Sequence, residues 1–174
     1  MRRLLVFALL SALLAAPAAA RAIEGGPGPK NGDGTLSVKR GKGTVGMKID
    51  GVIIGRLGQG RITAYDPDPT DGSGPILKGC ERKRDISDQT INPDDVKVLC
   101  SGNDIRFRLI GGKYMIQIRG SGIFLSAVGH GMVYFDGRGD ITGEPDGVYS
   151  LNGDPYESLP DVPTQLPLQA PPGG

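Results

Sequence analysis

The 174-residue chain predicts an all-β fold, a small antiparallel β-sandwich or flattened barrel built from two similar glycine-punctuated meanders. Three observations lead there. From Thr35 to Tyr65, short β-branched runs are broken by Gly every eight or nine residues. Residues 104–119 alternate apolar and polar on either side of Gly111-Gly112. Leu36 to Ala64 and Ile105 to Phe135 then follow one plan, with Gly58-Gln59-Gly60 matching Gly129-His130-Gly131, as an internal duplication would. The 29 Gly show no G-x-y period, which leaves tight turns as their use.

Taken in order, residues 1–20 read as a secretory signal peptide: Arg2 and Arg3, then 13 mostly aliphatic residues from Leu4 to Ala16, then a small-residue end at Ala18-Ala19-Ala20. That apolar run is too short for a bilayer span, which needs about 20 residues. Residues 21–34 read as a flexible leader. In the all-β domain, 35–156, a hairpin loop at Gly41-Lys42 places Val38 opposite Val45 and Leu36 opposite Met47. A second at Asp50-Gly51 places Ile49 opposite Val52 and Met47 opposite Ile54, leaving Ile53 on the wet face. A third at Gly111-Gly112 pairs Leu109 with Tyr114, Phe107 with Ile116 and Ile105 with Ile118. Between the halves lies a polar connector rich in turn formers, ending in a strand at Val96 to Cys100. The last segment, 157–174, has five Pro in 18 residues and reads as a disordered tail.

Without residues 1–20 the chain carries 18 Lys and Arg against 19 Asp and Glu, so any charged partner must be recognised by a local patch. Few aromatics and this charge balance argue against nucleic acid. Cys80 and Cys100, in a chain bound for an oxidising compartment, are expected to form one disulfide.

Candidate chemistry is sparse. His130 is the single His, too few for a multi-His zinc centre, and no Ser lies in a nucleophile-elbow context. Asp66, Asp68 and Asp71 form the best acidic turn for a cation, which would be calcium. Arg138-Gly139-Asp140 matches a short adhesion tripeptide, a pattern that arises easily in Gly- and Asp-rich turns. Arg106, Arg108, Lys113 and Arg119 alternate outward along the second predicted hairpin and would gather positive charge on one sheet face, where an anionic cell-wall polymer could bind. Open sheet edges could also accept a protein partner by strand addition.

The Arg- and Ala-rich leader, the segment Gly43-Thr44-Val45-Gly46-Met47-Lys48-Ile49 and the closing Gly147-Val148-Tyr149-Ser150-Leu151-Asn152-Gly153 resemble exported β-rich proteins of high-GC bacteria. The resemblance is one of style over residues 1–160 and implies no activity. The expectation is therefore a secreted or extracytoplasmic, non-enzymatic binding or structural module of the cell envelope, without a resident cofactor. A small hydrolase or lyase using loop carboxylates, and a calcium-stabilised interaction module, are the alternatives.

Overall fold

A computed structural model describes residues 32–89, 95–137 and 146–171. The fold is all-β and antiparallel, and its sheet does not close into a barrel. Two long strands dominate it: β1 (Gly34–Asp66) and β4 (Val96–Asp136). Among the described residues five short ones extend the edges: β2 (Ile76–Lys78), β3 (Arg82–Asp85), β5 (Val148–Leu151), β6 (Glu157–Ser158) and β7 (Thr164–Leu168).

The register shows how two such long strands make a small domain. Met47 of β1 pairs on one side with Ile116 and on the other with Val133, both in β4. Two strands flanking a third lie about 10 Å apart, whereas the 17 residue steps from Ile116 to Val133 would span about 56 Å if straight. The chain between them must therefore travel round and return. The β1–β4 ribbon is wound on itself, and each circuit contributes one run to each of two facing layers.

Following the pairings across the first layer gives Leu166, Val133, Met47, Ile116, Ala64, Val98 and Asp85. Across the second they give Glu157, Tyr149, Val38, Leu125, Gly55, Phe107 and Leu77. Most of these side chains are buried between the layers, together with Leu57, Ile62, Ile105, Leu109, Tyr114 and Ile118. Phe135 of the first layer meets Tyr149 of the second with ring centroids 4.8 Å apart, which closes the sandwich near one edge.

Glycine decides where the ribbon bends. Gly43, Gly120, Gly60 and Gly102 pair in succession across four neighbouring segments, forming a crease on one side of the sandwich. Gly34, Gly129 and Gly51 form a second row, and Gly111-Gly112 extends it. At Gly60, φ is +145°, and an added Cβ would press into the Arg119 carbonyl oxygen; at Gly120 it would press into that of Gln59. Backbones approach this closely only where no side chain intervenes.

These creases replace all three expected hairpins. Val45 pairs with Ile118 and Phe135 instead of Val38, Ile49 with Tyr114 and Gly131 instead of Val52, and Leu109 with Ile53 instead of Tyr114. Since β1 bends at Gly51 without reversing direction, odd positions on both sides of the bend point inward: Ile53 is fully buried and Ile54 is 45% exposed, the reverse of the hairpin expectation. The C-terminal segment is also corrected. Residues 157–168 include β6 and β7, and β7 pairs with 131–135 of β4, burying Leu159 and Leu168. Pro167 is tolerated because β7 is an edge strand. Residues 1–20, most of the leader and the Arg138-Gly139-Asp140 tripeptide lie outside the described residues.

Cys80 and Cys100 form the expected disulfide, with Cα atoms 5.4 Å apart. It ties the connector between β2 and β3 to β4, where Cys100 is fully buried.

Gly60→Ala should destabilise the fold by about 1–3 kcal/mol, read as a lower urea midpoint. Gly74→Ala, which meets nothing within 4 Å, should leave the midpoint within experimental scatter. Replacing both cysteines by Ser should cost on the order of 3 kcal/mol, with urea titration of the double variant as the check.

Candidate functional site

The basic residues expected on one face are divided between the layers. Arg106 and Arg108 point outward from the second layer. Beyond Gly111-Gly112 the chain enters the first layer, so Lys113 and Arg119 are exposed on the opposite side of the molecule. There Arg119 lies across from Arg61 and donates from Nε to Thr44 Oγ1 at 3.2 Å. The four do not form one patch, because the bend that separates them is a crease and not a hairpin.

The second layer gathers other cations instead. Its outer face carries two adjacent rows across the strands. One runs Ser37, Ser126, Ile54, Arg108, Ile76; the other runs Phe124, Arg56, Arg106, Lys78. Arg56, Arg106 and Lys78 thus stand side by side on three neighbouring strands, with Arg108 in the next row. Directly opposed like charges in a sheet are unfavourable. The Asp104 carboxylate reaches Arg106 at 3.8 Å with both side chains largely in solvent, so its relief is small.

These rows line an open groove of about 690 Å³, flanked by Lys39. None of its lining residues is acidic. Apolar and cationic groups interleave: the Arg56 guanidinium lies 4.4 Å from the centre of the Phe124 ring, and Lys39 Nζ lies 4.0 Å from that of Tyr156. Lys39 and then the Ser37 hydroxyl hold the Tyr156 phenol below its ordinary pKa, another sign of a positive rim. Sequence alternation identified Arg106 and Arg108. It missed Arg56, Lys78 and Lys39, which come from segments about 30 to 70 residues away and join the site only through long-range pairing.

The acidic candidates resolve differently. Asp66 Oδ1 accepts the Asp68 N–H at 3.0 Å, Asp68 Oδ1 accepts the Thr70 hydroxyl at 2.7 Å, and Asp71 Oδ1 accepts from Ser73 N and Oγ. Each carboxylate shapes its own turn, and among the described residues no three acidic, His or Cys side chains converge as a metal-holding group. Asp66 is 1% exposed, its Oδ2 has no hydrogen-bond partner among the described residues, and burial raises its pKa, reinforced by Asp71, Asp68 and Asp95. Asp95 is itself buried and accepts from the Tyr65 hydroxyl at 2.5 Å, so this acidic pair is closed to a substrate. His130 lies along β4 with Nδ1 3.1 Å from Asp33 Oδ1. Tyr149 is buried against Phe135, and burial together with its bond to Glu157 pushes its phenol up to about 12.

Asp66 has a raised folded-state pKa, so its unfavourable ionisation begins above the unfolded-chain value near about 3.9 and stability falls as pH rises through the folded value. Asp66→Asn keeps the Oδ1 acceptor and removes the charge. The variant should melt above the parent at pH 7, and the difference should shrink as pH approaches about 4, measured by thermal denaturation across pH. No protein-family model matches the chain, and neither a curated protein nor a solved structure is significantly similar to it.

Proposed function

We propose that this chain is an exported, non-enzymatic binding module of the cell envelope or extracellular space that engages an anionic envelope component through the outer face of its second layer. The row Arg56, Arg106, Lys78 carries the reading. Three cations abreast on adjacent strands cost stability in the free protein, and a local cost of this kind is what binding sites retain when a ligand supplies the missing charge. Arg guanidiniums suit the task because their planar fork matches phosphate and carboxylate oxygens. Export is supported by the leader sequence and by the Cys80–Cys100 bridge, which is compatible with an oxidising compartment. Among the described residues no helix is long and apolar enough to cross a membrane.

The division of basic residues between the layers supplies an internal control. The mature, disulfide-bonded protein should co-sediment with isolated envelope fractions, and retention should fall as salt rises. Arg106→Ser with Arg108→Ser should weaken retention on the order of thirtyfold, at roughly 1 kcal/mol for each lost cation. Lys113→Ser with Arg119→Ser, on the opposite layer, should change it little. Equal losses from the two pairs would assign the binding to overall charge and reject the groove.

A further inference from the structure

The groove is not uniformly polar. Ile54 is 45% exposed and Ile76 is 50% exposed, and they flank Arg108 in one row while the Phe124 ring lies beside Arg56 in the next. Ile54 lies in an interior run of its layer, with Ser126 and Arg108 on either side, and contributes nothing to the core between the layers. A polyanion such as a phosphate polymer would use the cations and leave these isoleucines wet. Small Ser37 and Ser126 keep the adjoining surface low, which leaves apolar side chains on both sides of Arg108.

We infer that the groove binds a single-chain anionic amphiphile as a monomer, with its alkyl chain over Ile54, Ile76 and Phe124 and its phosphate or carboxylate head among Arg106, Arg108 and Lys78. This rests on the reading of the basic layer given above and names the ligand class. The groove volume of about 690 Å³ accommodates a medium-length chain with its head group. Burial of methylenes against the isoleucines supplies affinity, and the guanidiniums select the negative head over a neutral one.

Calorimetric titration of the mature protein with decyl phosphate below its micellar concentration, beside inorganic phosphate and decyl glucoside, tests the assignment. Decyl phosphate should bind at least tenfold more tightly than either, since it alone joins chain and charge. Ile54→Ser with Ile76→Ser should remove at least a tenfold share of decyl phosphate affinity and lower envelope retention in parallel. Both substitutions are on exposed positions, and an unchanged melting temperature would exclude misfolding. If inorganic phosphate matched decyl phosphate, or if the isoleucine variant bound it normally, the amphiphile assignment would fall while the basic-face function stood. Binding to vesicles of anionic phospholipid without monomer binding would overturn it in favour of a membrane surface. Loss of envelope retention in the parent protein would remove the wider reading as well.

Discussion

Backbone crowding at the creases governs this molecule. Two long strands can form a small double-layered domain only if they bend sharply without losing the hydrogen-bonded ladder on either side. A bend within a paired sheet forces carbonyl groups of one segment against the Cα atoms of the next, and rows of glycine are the arrangement that admits it. Gly60 against Gly120 shows the constraint from both sides, since a Cβ on either would enter the other segment's backbone. The layers, the core and the outward faces all follow once these rows are in register.

The winding also explains why so few separate elements are needed. Each circuit of β1 and β4 supplies runs to both layers, so the interior is filled mainly by two segments of chain. Short strands then complete the margins. β3 and β7 border the first layer, β2 and β6 the second, and the disulfide fixes the connector that carries β2 and β3. Arg82, Lys83 and Arg84 on the exposed β3 edge place charge where an unpaired strand would otherwise invite further pairing.

Much of this was legible in the sequence, for reasons that also mark where it stopped. Alternation reports a face independently of the partner, so Leu36, Val38, Val45, Met47, Phe107, Tyr114 and Ile116 were assigned inward correctly. Glycine spacing was visible too, but a Gly every eight or nine residues suits a hairpin as well as a crease. At Gly111-Gly112 both change the inward parity in the same way, so Leu109 and Tyr114 were placed properly with the wrong partners. At Gly51 they differ, and Ile53 and Ile54 exchanged roles. The groove was half legible: Arg106 and Arg108 lie on one run, whereas Arg56 and Lys78 join them through pairings that no local pattern encodes. Proline content concealed β7, although Leu166 and Leu168 alternate as a strand requires.

The register of the long ribbon bears on how the protein must be made. Synthesis reaches β1 before β4, yet among the described residues every segment that flanks β1 in the sheet belongs to residues 96 or later. The first half of the chain has no neighbour with which to complete a ladder until much of the second half has emerged, and the final edge arrives only with β7. Such dominance of sequence-distant pairing makes assembly slow, because loop-closure entropy must be met before contacts repay it. A chain that cannot commit to structure until it is nearly whole stays extended, and its apolar runs stay open to solvent and to other chains, for longer than in a fold built from local hairpins.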